Sequence, residues 1–493
     1  MNWYIFGLII YICFLLVVSY YASKKIKGSD DFIVASRSLP SWLLVGVFAG
    51  LWLGGGTLIG ASGAAFDFGF WSTEEQWGVI PDPYGAGLCL ILGGLFYFTT
   101  IRKLGGVTLA DYFTTRFGRK AGLISTIVMI FAWLFWVSSE LVVIGKVLFS
   151  VLGLPYAVSV WIGLIIVIIY TIAGGLWSIA FTDLIQVGLI LIGIILMLPI
   201  GLSLVGGWKT VLATLPKEMF QFFPVAPANI SPLRRWIPWI AGWMIIGLGS
   251  LATPDIVQTA HSGKGHRDVR IASIGAGFIY WIFGTMVVVL GMIGAALVSR
   301  GIITPDSLQG DSELILLVLA QQFFPIPIAV IFIVAIFGAV MSSIDGALLA
   351  LSTLFTKNIL QDYVNSDISE KRLLLYGRVA VVAFAIITAL IGVNFSHVFL
   401  LMNFGFDCLL AGLFVPLTLG IYWKGATRSG FYAGITTGIF LRVILSGIIE
   451  GWGLETVMYP ENWYIYTIIA PLANLVAMVT VSIASRWKEK PIK

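Results

Sequence analysis

Charged side chains are scarce: Asp, Glu, Lys and Arg make up 11% of the 493 residues. Hydrophobic residues make up 59%, and mean hydropathy is +0.99, a composition that no water-soluble core uses. Cysteine is nearly absent. Cys13, Cys89 and Cys408 stand far apart inside apolar runs without CxxC spacing, which argues for packing roles and against disulfides. Only three histidines occur, His261, His266 and His397, scattered in or beside loops, so no transition-metal site is expected. There is no HExxH motif and no GxSxG at a water-facing elbow, which removes the common hydrolase readings. The net charge of +5 has no basic domain behind it, and nucleic-acid binding is not supported.

What remains is an all-α integral membrane protein. A spanning helix needs about 20 mostly apolar residues, and thirteen runs qualify: near 3–22, 41–65, 77–101, 121–151, 155–174, 179–204, 236–258, 272–298, 325–355, 375–393, 396–420, 429–448 and 464–485. The first run has no Lys or Arg before it and Lys24, Lys25 and Lys27 after it. That order is the reverse of a signal peptide and predicts a retained helix with its N-terminus outside. Alternating the loops from this start puts 22 Lys and Arg on the inner side and 5 on the outer, with Lys146 and Arg442 near span ends. Positive charge gathers on the cytoplasmic side, so the chain is expected in the plasma membrane with its C-terminus, residues 486–493, in the cytoplasm.

Two spans are interrupted. In the second, Gly54, Gly55 and Gly56 follow one another, each costing about 1 kcal/mol relative to Ala in a helix, and this stretch is expected to unwind. In the seventh, Gly247, Gly249 and Ser250 precede Pro254, which lacks a backbone donor. The units that these spans begin, 41–204 and 236–420, hold five spans each. An odd number inverts the second copy in the membrane. Paired broken helices in two inverted repeats point to a secondary transporter with its site at the midplane; glycine-mediated helix packing is the plainer alternative. Residues 1–23 then form an extra N-terminal helix, and 429–485 two C-terminal ones.

The ninth span carries Ser342, Ser343 and Asp345 in an apolar run, where an Asp at mid-bilayer costs roughly 2.5–3.5 kcal/mol. Helical spacing puts Ala339, Ser342 and Ser343 on one face. Three neighbouring oxygens can replace water around a small hard cation, and backbone oxygens of Gly50 and Leu53, just before the glycines, are candidates to complete the shell. Helix–helix hydrogen bonding by the serines is the alternative.

Several motifs resemble the sodium:solute symporter family over nearly the whole chain. They are Ala339 to Ser343, the second span ending Leu58-Ile-Gly60-Ala-Ser62-Gly63, and Gly174-Gly175-Leu-Trp-Ser178 running on to Thr182-Asp183 and Gln186. The resemblance implies an inverted five-plus-five core with discontinuous first and sixth core helices, and Na⁺-driven uptake by alternating access. Carried over by position, it implies a sodium site built from Gly50, Leu53, Ala339, Ser342 and Ser343, and a possible second one at Thr182 and Asp183. Within the family, Trp52-Leu53-Gly54, Phe135-Trp136, Ala339 to Asp345 and Gly430 to Gly434 are most similar to choline-type carriers, although Thr253 stands where those carriers place a further Trp.

The substrate-binding candidates are Trp52, Gly55, Thr57, Trp136, Glu140, Thr253, Asp345 and Asp407. Trp52 and Trp136 offer cation–π faces. Glu140, Asp345 and Asp407, with Asp255 at the inner end of span seven and no Arg expected at the centre, favour a cationic or zwitterionic solute over an anion. Asp67, Glu74, Glu75 and Asp82 read as a solvated acidic outer loop, and Trp71, Trp77, Trp452 and Trp463 as interfacial belt residues. A neutral or carboxylate solute, or a transporter-fold sensor, are the alternative functions. Beyond Na⁺, the solute and the bilayer, no partner is implied.

Overall fold

The structure, a computed structural model, describes residues 3–23, 34–70, 76–224 and 232–487. Lys24, Lys25, Lys27, Trp71, Glu74, Glu75, Lys488, Lys490 and Lys493 fall outside it, as do the side chains of Ser178 and Arg234. Among the described residues nine helices are long and apolar enough to cross a membrane, or ten if one bent pair counts as a span.

In chain order the helices are α1 (Trp3–Ser23), α2 (Ser41–Gly50), α3 (Ser62–Phe68), α4 (Ile80–Lys103), α5 (Leu109–Phe117), α6 (Arg119–Leu152), α7 (Tyr156–Val205) and α8 (Pro232–Gly249). They continue as α9 (Pro254–Ser262), α10 (His266–Ser299), α11 (Ile315–Phe323), α12 (Ile326–Val364), α13 (Glu370–Asn394), α14 (Val398–Tyr422), α15 (Arg428–Glu450) and α16 (Trp463–Ser485). The long spans match the apolar runs of the sequence. Three expected runs appear as shorter apolar helices, Trp3–Val18, Ser41–Gly50 and Tyr156–Ile169.

The fifth and sixth runs were expected as separate spans, but α7 is helical from end to end over 50 residues. A straight helix of that length would reach about 75 Å, against a hydrocarbon core of about 30 Å. The Tyr156 hydroxyl donates to Gly392 O near the end of α13 (2.8 Å), and Arg300, just past α10, donates to Val205 O (2.5 Å). The apolar stretches of α7, Tyr156–Ile169 and Ile179–Val205, correspond to the two expected runs.

Both interruptions are present, and one is shifted. Gly247 and Gly249 remain helical; a 3-10 turn at Ser250–Ala252 and extended Thr253 separate α8 from α9, with a bend of 52°. Pro254 opens α9, where a missing N–H costs nothing. In the second span the break lies at Leu51–Gly54, and the helix resumes at Gly55 with a π turn over Gly56–Ala61 before α3. The glycines were expected to cause the unwinding. Two of them instead sit in the resumed helix, because Glu140 binds the N–H groups of its first turn, as described below.

α12 lies against α7, α6 and α13, with α1 packed on α7 and α12. This brings the interrupted α2/α3 pair and the serine face of α12 together in the middle of the bundle.

Candidate functional site

The centre of the site is a cluster of oxygens between α2 and α12. The Ser342 hydroxyl lies 3.0 Å from Gly50 O and 2.7 Å from Ala339 O; the Ser343 hydroxyl lies 3.2 and 3.1 Å from the same two carbonyls. Gly50 ends α2, where carbonyls lose their intrahelical partners. Ala339 is one turn before the serines, whose side chains fold back on its carbonyl. Leu53, the fifth expected ligand, sits in the break with its N–H on Ala49 O (2.8 Å). Gly54 follows it and lies directly against Ser343: a β-carbon there would overlap the Ser343 hydroxyl and come within 3.1 Å of a Glu140 oxygen. The site thus converges carbonyl and hydroxyl oxygens at the end of an unwound helix, the donor set that symporters use for Na⁺.

Asp183 stands beside this cluster. A β-carbon on Gly50 would meet the Asp183 carboxylate at 3.2–3.4 Å, and neither Asp183 oxygen has a hydrogen bond among the described residues. Its neighbour Thr182 donates to Ile179 O (3.1 Å). Asp345, also buried, accepts the Gly346 N–H (2.6 Å). Nearby, Gln186 donates to the Tyr11 hydroxyl (2.7 Å), so the extra helix α1 contributes a side chain to this region. Neither Tyr11 nor Gln186 was singled out as a site residue from the sequence.

Glu140 does not face open space. Its carboxylate accepts the N–H groups of Gly55 (3.0 Å) and Gly56 (3.3 Å), the first turn after the break. An anion at a helix start satisfies orphan donors and complements the helix dipole. Gly55 is confined by this contact and by Val143.

Thr57 belongs to a buried network. Its hydroxyl donates to Asp82 (2.9 Å) and contacts the Tyr280 hydroxyl, which is also within hydrogen-bonding distance of Asp82 (2.8 Å) and of Trp52 O (2.9 Å). Asp82 was grouped with a solvated outer loop. It is instead 3% exposed inside α4, where burial is tolerated because two hydroxyls meet its two oxygens. Tyr280 is the partner that the sequence reading missed: one Tyr in a long apolar helix gives no local signal. Of the rest of that acidic group, Asp67 is exposed and accepts the Ser312 hydroxyl (2.6 Å).

Trp52 and Trp136, each a candidate cation–π face, are linked through other rings. Trp52 stacks on Phe406 (5.5 Å), Phe406 meets Trp133 edge-on (5.7 Å), and Trp133 stacks on Trp136 (4.8 Å). Thr253 is buried at the second helix break.

Asp407 was a substrate candidate in a region thought to lack Arg. It is paired with buried Arg442, whose Nε donates to it, and it also accepts the Thr467 hydroxyl (2.9 Å). Arg442 spends its other donors on Val457 O (2.9 Å) and Met458 O (3.0 Å). Its position near a span end gave no hint of this, because the partner is contributed by another helix. Lys146, the other basic residue near a span end, is buried and paired with Asp311 (2.6 Å) and Glu313.

Comparison with known proteins fits this geometry. The profile of the sodium:solute symporter family matches residues 32–438. The chain is 27% identical to the human high affinity choline transporter 1, over 90% of this chain and 77% of that protein. It is 26% identical to the sodium/proline symporter of Salmonella typhimurium, over 88% and 86%. Among solved structures, a Na⁺-coupled sialic acid symporter superposes with a TM-score of 0.81 at 21% identity, covering 98% of each chain. A nucleobase-cation-symport-1 family transporter gives 0.57 at 15% identity, covering 94% and 96%. The fold is that of Na⁺-coupled symporters, and the chain, a Na⁺-coupled multi-pass transporter and not an enzyme, belongs to the sodium:solute symporter family.

Proposed function

We propose that the protein couples Na⁺ to uptake of a small cationic or zwitterionic organic solute by alternating access, with Na⁺ held by Gly50, Leu53, Ala339, Ser342 and Ser343. The observation that carries this reading is the meeting of both serine hydroxyls with Gly50 O at the end of α2. Na⁺ at that junction ties the broken helix to α12 and favours the outward-open arrangement. Solute then binds by the break, the bundle rocks, and Na⁺ leaves inward past Thr182 and Asp183, which are also positioned to hold a second ion. One charge crossing 100 mV supplies about 2.3 kcal/mol, and a tenfold Na⁺ gradient adds about 1.4 kcal/mol. One Na⁺ thus supports accumulation of a few hundredfold, by roughly the tenfold-per-1.4-kcal/mol rule.

The solute class rests on charge and aromatic surface. The two buried basic side chains described, Lys146 and Arg442, are both consumed by ion pairs, while Asp82, Asp183, Asp255 and Asp345 remain buried near the two breaks. Trp52 and the rings joined to it present faces suited to an ammonium. The named solutes of the two relatives above, choline and proline, both carry a positively charged nitrogen. Glu140 and Asp407, which have structural partners, are better read as supports of the site than as direct solute contacts.

Proteoliposome uptake of choline, betaine, proline, polyamines and sugars, with and without an inward Na⁺ gradient, tests the reading. Na⁺-stimulated accumulation of an ammonium-bearing solute is expected. Accumulation of only sugars or carboxylates would overturn the solute class, and uptake indifferent to Na⁺ would overturn the coupling.

A further inference from the structure

Asp82 lies buried in the first turn of α4 and has no ion pair among the described residues. The groups that face it are few. α10 contributes the Tyr280 hydroxyl, and the π turn before α3 contributes the Thr57 hydroxyl. α8, whose Gly242 lies against Ile80, has no charged residue beyond Arg235. Tyr84, on the same helix as Asp82, turns to Thr285 (3.2 Å). The other ionisable group whose charge acts on this cluster is Glu140 of α6, held by the Gly55 and Gly56 N–H groups. No cation therefore offsets a charge on Asp82, and an unpaired buried charge is costly.

Counting hydrogens shows how the cost is met. Three oxygen pairs lie at hydrogen-bond distance: Asp82 Oδ1 with Thr57 Oγ1 (2.9 Å), Asp82 Oδ2 with Tyr280 Oη (2.8 Å), and Tyr280 Oη with Trp52 O (2.9 Å). Each hydroxyl carries one hydrogen and the carbonyl none, so two hydrogens face three pairs. A hydrogen on the carboxyl group completes the set. Asp82 Oδ2 then donates to Tyr280, Tyr280 donates to Trp52 O, and Thr57 donates to the other Asp82 oxygen. Trp52 sits in the break between Gly50 and Leu53, and its carbonyl belongs to the peptide bond that leads into Leu53.

We propose that Asp82 is a proton site and that H⁺ is a second coupled ion of this carrier. When the carboxyl group gives its proton to water, Tyr280 turns its hydrogen from Trp52 O to the carboxylate, and the carbonyl in the break is released. The Asp82 O–H is the one covalent bond broken. The arrangement that assembles the Ser342, Ser343 and Gly50 oxygens is also the one that holds the proton, so both ions load in the same state and move in the same direction. Asp82 is neutral in that state, and Asp183, Asp255 and Asp345 are the carboxylates left to attract an ammonium. The assignment rests on the reading of the break as the Na⁺ and solute site.

The test uses the full-length protein in proteoliposomes, with choline, betaine and proline as probes and a pH-sensitive dye inside. At limiting Na⁺, an exterior more acid by about two pH units is expected to raise uptake of the transported probe several-fold, and solute entry to acidify the interior. Asp82→Asn, whose amide donates to Tyr280 and accepts from Thr57 as the protonated acid does, should still respond to Na⁺ but lose the acid stimulation and the acidification. Infrared difference spectra of wild type against Asp82→Asn, at about pH 7, should show one protonated carboxyl C=O band that the variant lacks. If Asp82→Asn fails to fold, Tyr280→Phe carries the test: loss of the shared hydroxyl should shift that band and weaken the acid stimulation. A carboxylate band in place of the acid band would overturn the proton site. So would an altered Na⁺ half-saturation in Asp82→Asn without any proton response in the wild type, which would make the cluster a metal-ion site. An acid band without proton movement would overturn the coupling. Absence of Na⁺-driven uptake of every probe would overturn the transport reading, which the infrared band, reporting on Asp82 alone, does not address.

Discussion

The Ser342 hydroxyl lies 3.0 Å from the carbonyl oxygen of Gly50, a residue 292 positions earlier in the chain. An unwound helix end and a hydroxyl face of a continuous helix are thereby brought to one point. Ser343→Ala removes one oxygen of the cluster and should raise the Na⁺ concentration for half-maximal uptake by about tenfold or more, given roughly 1.5–3 kcal/mol for hydrogen-bond-type contacts to a charge. Gly54→Ala, whose methyl would overlap the same hydroxyl, should weaken Na⁺ dependence similarly without deleting any ligand. Na⁺ titration of uptake reads both, and unchanged Na⁺ affinity in Ser343→Ala would remove the site.

Glu140 holds the first turn after the break by two backbone donors. Glu140→Gln keeps an acceptor but loses the charge, and Glu140→Ala leaves both donors bare. Thermal unfolding in detergent should fall in that order, with a cost of about 1–3 kcal/mol for Ala, and uptake should decline in parallel for every solute tested. A change in solute selectivity at unchanged stability would instead make Glu140 a solute contact.

Asp407 and Arg442 form a buried pair. Removing one partner leaves a lone charge, which costs about 3–5 kcal/mol, whereas replacing both by apolar residues is far milder. Asp407→Leu or Arg442→Met alone should therefore reduce the yield of folded protein strongly, and the double variant should recover both yield and uptake. A well-folded double variant unable to transport would show that Asp407 acts on solute.

Asp111 accepts the N–H groups of Val107 (2.7 Å) and Thr108 (3.1 Å) and hydrogen bonds from the side chains of Lys357 (2.7 Å) and Asn358 (2.8 Å), tying α5 to the end of α12. Burial pushes the Asp111 carboxyl upward, but Lys357 and the backbone donors outweigh it and hold the group below the usual carboxylate range. A depressed folded value means that its stabilisation is complete above the unfolded value, about 3.9, and is lost as pH falls through the folded one. Asp111→Asn should melt earlier than wild type at pH 7, and the difference should shrink as pH drops below about 4. Melting curves across pH 3–7, by roughly half-unit steps, check this.

The membrane class, the long spans and the two interruptions were legible because they are written in local composition: apolar runs, Gly247 to Pro254, and the polar face at Ser342. The serine face could be named from helical spacing, and its partner Gly50 from its place just before the glycines and from the resemblance. What escaped depends on partners far apart in sequence. Asp82 looked like a loop residue beside Asp67 until Thr57 and Tyr280 were placed around it. Arg442 looked peripheral until Asp407 was placed across from it. The break itself moved from Gly54–Gly56 to Leu51–Gly54, because backbone donors of a glycine-rich turn were claimed by a carboxylate from α6, which no propensity scale contains.

The Asp407–Arg442 contact also decides what the smallest self-sufficient version of this carrier is. Asp407 belongs to the last helix of the expected ten-helix core, whereas Arg442 and Thr467 come from α15 and α16, and Asn474 of α16 donates to Ala411 O of α14 (2.8 Å). Cutting the chain after Tyr422 would strand a carboxylate and unpaired carbonyls against lipid. The two trailing helices are thus fastened to α14 by a buried ion pair and buried hydrogen bonds, so the carrier needs them to satisfy its own core.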